Sequence, residues 1–121
     1  MIYLLVGCGG VIGALLRYGV SAATVHWWSG GFPIATLFVN CLGCFLLPFL
    51  TGKLTSRIAV SMQKAVTTGI IGSFTTFSTF SVETITLLEQ GKIEAAIWYM
   101  LLSIGGGLFF VNLGYKGMKE V

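Results

Sequence analysis

The sequence predicts an all-α membrane protein with four transmembrane helices, the third broken mid-membrane. Three observations lead there. The 121-residue chain is 55% hydrophobic and only 9% charged, where a soluble domain carries roughly 25% charged residues. Its apolar stretches number four, each near or above the ~20 residues that cross hydrocarbon. The third stretch is overlong and crowded with hydroxyls. A core of this size hides too little apolar surface from water, so lipid is the solvent that fits the composition.

The expected spans cover about residues 2–28, 33–52, 58–88 and 93–115, one membrane domain over 1–121. Turns are expected at Trp28-Ser29-Gly30-Gly31-Phe32-Pro33, around Lys53–Arg57, and at Glu89-Gln90-Gly91-Lys92. The start lacks a basic n-region and a clear small-residue cleavage site, so the first span is expected to stay in place.

Span one carries a single charge, Arg17, on the stripe Gly9-xxx-Gly13-xxx-Arg17. Small residues let another helix come close, and Arg17 needs water, an acceptor carbonyl or a snorkelling route to the interface. His26, Trp27 and Trp28 close the span as an interfacial aromatic belt.

Span two has no charge. Thr36 and Asn40 lie four apart on one helix face, and the Asn40 amide supplies two donors and an acceptor. It serves either as interhelical glue or as a donor to a ligand. Cys41 and Cys44 share a face as well. With no histidine or third thiol beside them, they read as small buried hydrophobes rather than as metal ligands.

Span three would reach roughly 46 Å if its thirty-one residues were one helix, against ~30 Å of hydrocarbon. Residues 67–81 hold five Thr, three Ser and two Gly. Gly69 and Gly72 weaken a helix, and hydroxyls satisfy backbone groups that a break sets free. Irregular backbone at membrane depth is tolerated where it is buried in protein or lines a cavity, and there it commonly holds ions. The alternative is an unbroken helix whose hydroxyls bond back to the preceding turn. In span four, Tyr99 and Ser103 share a stripe that continues to Gly107.

No catalytic set appears. There is one histidine, no phosphate loop and no paired carboxylate, since Glu83 is the only deep acid; an enzyme is not expected. Basic residues divide five to two between the sides of the membrane: Lys53, Arg57, Lys64, Lys116 and Lys119 on the side of the termini, Arg17 and Lys92 opposite. The bias places the termini in the cytoplasm.

Three stretches, taken in order, resemble the small fluoride channels known as Fluc or CrcB: GGVIGALLRY at 9–18, TLFVNCLGCF at 36–45 and GSFTTFSTFSVE at 72–83. The resemblance runs from Gly9 to about Gly107. It implies passive, fluoride-selective export across the plasma membrane that relieves fluoride toxicity. It also implies an antiparallel dimer with two pores along the subunit interface and a structural Na⁺ on the dimer axis. By that resemblance the backbone carbonyls of Gly72 and Thr75 hold the Na⁺. Phe77, Phe80 and Asn40 line the fluoride pathway, with Ser78, Thr79 and Thr36 adding hydroxyls and Tyr99 and Ser103 forming a polar track. Arg17 and Glu83 are vestibule or gating candidates, and Phe74 is left to packing.

The sequence departs from the family pattern at Gly107, where a hydroxyl usually continues the track, at Pro48, where a small residue is common, and at Ser73, a frequent glycine. The charge bias leaves two assemblies open, a homodimer or a heterodimer with a paralogous sister chain. Competing readings are a small antiparallel proton-coupled drug exporter, disfavoured because span one holds no acid, and a non-conducting assembly subunit.

Overall fold

The computed structural model describes residues 1–28 and 30–119; Ser29, in the first expected turn, lies outside the described residues. The described residues are helical throughout apart from short turns. In chain order they form α1 (Ile2–Trp27), α2 (Ile34–Leu54), α3 (Val60–Lys64), a π-helical segment (Ala65–Ile71), α4 (Gly72–Phe74), α5 (Phe77–Glu89) and α6 (Ile93–Lys119). Three of these, α1, α2 and α6, are long and apolar enough to cross a membrane, with mean hydropathies of 1.6, 2.0 and 1.7 over their best windows. The pieces from Val60 to Glu89 follow one another as a further helical stretch, the third of four in chain order.

Little of the three long helices is buried within the chain. On α1, Leu4, Val11, Ile12, Leu15 and Leu16 all face outward. A helix that is apolar all round is at home in lipid or against other protein, not in water.

Without a hydrophobic drive between helices in lipid, close backbone contact takes over, and small residues permit it. The α1 helix runs along the π segment and α4. A methyl group on Gly9 would collide with the Ala65 carbonyl, and one on Gly13 with the Ile70 carbonyl and the Ser73 hydroxyl. Gly69 answers from the other side, pressed against the Val6 carbonyl and the Gly9 Cα. The second seam joins α2 to α6. Pro48 lies inside α2, where it removes the donor that would meet the Cys44 carbonyl. Its ring packs over Gly114 of α6. The bulk that Pro48 adds to α2 is thus taken up by a glycine on the facing helix.

A cluster of buried side chains gathers where α5 meets α6: Leu87, Ala96 and Tyr99, with Phe32, Leu37, Phe80 and Ala95 packed around them. The turn between these helices places Gly91 at φ 76°, a conformation that costs other residues steric strain.

Candidate functional site

After Phe74 the backbone leaves the helical region. Thr75 has φ −86° and ψ 159°, Thr76 has φ −153° and ψ 124°, and α5 begins at Phe77. Two extended residues set free the carbonyls before them and the N–H groups after them. Side chains take up those groups. Asn40 of α2 faces Thr76 edge-on: its Nδ2 donates to the Thr76 carbonyl at 2.9 Å, and its Oδ1 accepts from the Thr76 N–H at 2.8 Å. Thr76 in turn caps α5, its hydroxyl oxygen accepting from the Thr79 N–H at 3.2 Å. The same oxygen lies 3.2 Å from Thr79 Oγ1 and 3.3 Å from Ser78 Oγ. Arg17 Nε donates to the Ser73 carbonyl at 3.0 Å. Ser73 Oγ sits 2.7 Å from the Gly10 carbonyl and 2.8 Å from that of Gly69, tying α1 to the same place.

These bonds decide which carbonyls stay free. In a continuous helix the Gly72 carbonyl would accept from the Thr76 N–H, and the Thr75 carbonyl from the Thr79 N–H. Both donors are diverted, one to Asn40 and one to the Thr76 side chain. The Gly72 carbonyl keeps only a long approach from Thr75 Oγ1, at 3.5 Å. Two hard oxygen acceptors at a helix C-terminal end suit a small hard cation such as Na⁺, both by ligand type and by the direction of the helix dipole. The residues present therefore fit that ion.

Beyond the interruption the aromatic rings form a chain. Phe77 is 78% exposed and lies 5.8 Å from Phe80, which lies 5.1 Å from Tyr99. Tyr99 is fully buried, and its hydroxyl donates to Glu83 Oε1 at 2.9 Å. An open groove of about 1040 Å³ runs alongside, walled by Asn40, Gly72, Thr75, Phe77, Phe80 and Ser103 among others. Lys64, Thr67 and Thr68 line it as well.

Most hydroxyls in this region bond back to the carbonyl four residues earlier, as Thr67, Ser81, Thr84 and Thr86 do. Ser103 does not: its Oγ is buried and has no partner among the described residues.

The residues singled out in the sequence fall into three groups here. Asn40, Phe77, Phe80, Ser103, Gly72 and Thr75 share the groove. Glu83 and Tyr99 form a hydrogen-bonded pair behind Phe80, and Thr36 is buried on α2. Ser78 and Thr79 cluster on Thr76, and Arg17 is bonded to a backbone carbonyl. Phe74 is buried in the packing. Sequence reasoning passed over Thr76, the residue on which Asn40, Ser78 and Thr79 converge. A threonine just before the first residue of an apolar helix is an N-cap signal that would have found it.

A family model described as "CrcB-like protein, Camphor Resistance (CrcB)" matches residues 4–115. Among similar proteins, "Fluoride-specific ion channel FluC 2" of Geobacillus kaustophilus is 48% identical over 121 residues, covering 98% of this chain and 94% of that protein. "Fluoride-specific ion channel FluC 2" of Listeria innocua is 49% identical, covering 96% and 89%. "Fluoride-specific ion channel FluC 1" of Bacillus cereus is 45% identical over 117 residues, covering 95% and 85%.

Proposed function

Because this chain belongs to the CrcB-like family, we infer that it is a fluoride-selective ion channel, not an enzyme, and that it exports fluoride passively. The observation that carries the site assignment is the unpartnered Ser103 hydroxyl beside the groove. A buried donor without an acceptor costs about 1–3 kcal/mol, and it persists where a ligand is meant to meet it.

Fluoride holds its water tightly, so a pathway must replace that water with compact donors. The second Nδ2 proton of Asn40 and the Ser103 hydroxyl supply them. The rings of Phe77 and Phe80 add the positive edge of their quadrupoles. Larger halides gain less from such small donors and fit a narrow passage poorly. The N-terminal end of α5 points its dipole in the same favourable sense for an anion.

In this proposal the four helical stretches cross the plasma membrane as one domain, and the interruption at Thr75–Thr76 lies at membrane depth. Two subunits pair antiparallel, creating two pathways with a Na⁺ between them. Gly72 and Thr75 would hold that ion through their carbonyls, where it neutralises the negative helix ends. The second subunit is either a copy of this chain or a sister chain. The numbering of relatives as FluC 1 and FluC 2 supports the sister-chain version.

Reconstituted liposomes test the function. Fluoride efflux is expected without any proton gradient, and Glu83→Gln is expected to retain transport. Transport that requires a proton gradient and vanishes in Glu83→Gln would favour the exporter. Absence of flux, alone or with a sister chain, would favour the assembly subunit.

A further inference from the structure

Cys41 and Cys44 are one turn apart on α2, and both thiols are turned toward the glycines of α6. A methyl group on Gly106 would stand 3.0 Å from Cys41 Sγ, and one on Gly107 would stand 3.5 Å from Cys44 Sγ. These glycines leave room for two sulfurs side by side. Against the sequence reading of the pair as small buried hydrophobes, both thiols are free and partly exposed. Cys44 also forms part of the groove wall together with Asn40 and Phe80. It lies four residues from Asn40, hence on the same helix face.

We propose that Cys41 and Cys44 form a dithiol site for a soft, two-coordinate metal cation, which obstructs the groove when it binds. Residues three apart on a helix have Cβ atoms ~5–6 Å apart. Two metal–sulfur bonds of ~2.3 Å laid end to end span about 4.6 Å, so modest side-chain rotation lets one ion reach both sulfurs. No group of three His, Cys, Asp or Glu side chains gathers among the described residues. The site therefore offers two soft ligands, the set for Cu⁺, Ag⁺ or Hg²⁺ rather than for tetrahedral zinc. On binding, each thiol releases its proton to water and each sulfur gives an electron pair to the metal. No oxidation state changes.

The groove-blocking half of this proposal rests on the fluoride-channel reading; the metal site itself does not. The probe is Hg²⁺, titrated in chloride-free buffer into purified Cys8→Ser protein, which removes the only other thiol. One Hg²⁺ per chain is expected, with near-ultraviolet mercury–thiolate absorption and both remaining cysteines shielded from alkylation by intact mass. Cys41→Ser or Cys44→Ser should each weaken binding by about a hundredfold, since the second sulfur acts at high effective concentration. Fluoride efflux from liposomes should fall at least severalfold on adding Hg²⁺ and return with excess dithiothreitol. Undiminished affinity in both single variants overturns the proposal, as does normal efflux from metal-loaded protein. If untreated protein carries no fluoride, the channel reading fails, while absorption and alkylation still decide the metal site.

Discussion

In the proposed pathway Asn40 has two tasks that compete for one amide. Its oxygen and one of its Nδ2 protons are committed to the Thr76 peptide, which leaves one proton for an anion. Replacing it with alanine removes that donor and strands both Thr76 backbone groups. A hydrogen bond to a charged group is worth about 1.5–3 kcal/mol, so Asn40→Ala should slow fluoride efflux by about ten- to a hundredfold. Phe80→Ile should likewise slow it severely, by removing a ring edge from the pathway. Both variants should still elute at the size of the unaltered protein; unchanged efflux in both would remove the proposed pathway. Part of the proposed site was legible in residue types: Asn40 and the Tyr99/Ser103 stripe stand out as polar groups in apolar spans, whereas Phe77 and Phe80, at home in lipid by their chemistry, were singled out for the pathway only by the resemblance. The partners were not visible. Arg17 meets a carbonyl 56 residues away, and no local spacing encodes such a contact.

At the scale of elements, the seam between α1 and the π segment is made of backbone on backbone. Gly13 has no room for a side chain, whereas Gly19 on the same helix has open space around it. Overpacking a tight contact typically costs ~1–3 kcal/mol. Gly13→Leu should therefore lower the melting temperature in detergent markedly, while Gly19→Leu leaves it nearly unchanged. Equal effects would place the seam elsewhere. At the interruption, Thr76→Val removes the cap of α5, at a cost of ~1 kcal/mol, readable as faster amide exchange at Ser78 and Thr79. Hydropathy marks where helices lie in such a chain, but not which face meets which neighbour. Apolar residues cover every side, so the 3.6-residue periodicity that orients a helix in a soluble protein is nearly silent here. The stripe of small residues on α1 carries that information instead. The π winding of 65–71 was not legible in the sequence, where these residues read as part of one long apolar span.

Across the whole molecule, basic residues collect at one end. Lys53 lies in the last turn of α2 and Lys116 and Lys119 in the last turn of α6, helices that pack side by side. Arg57 and Lys64 follow α2 in the chain. Each such residue resists crossing the membrane. A tagged chain is expected to insert chiefly with this end in the cytoplasm, as measured by labelling of single introduced cysteines from either side. Equal labelling from both sides would instead mark a chain that pairs with inverted copies of itself. Under the proposed antiparallel pairing, one-sided labelling calls for a sister chain running the other way.

The π segment, finally, makes the third helical stretch a matter of counting. It holds seven residues, Ala65–Ile71, where the α-helical winding on either side would set a different phase. A π turn holds about one residue more than an α turn, so dropping one of them would let the segment relax to α-helix with the phase on either side nearly kept. Adding one would instead turn all that follows by roughly 100°, swinging Thr76 away from Asn40 and Phe80 away from Tyr99. Single-residue insertions between 65 and 71 should therefore be far more damaging than single-residue deletions, because the number of residues, more than their identity, aims the two halves at each other.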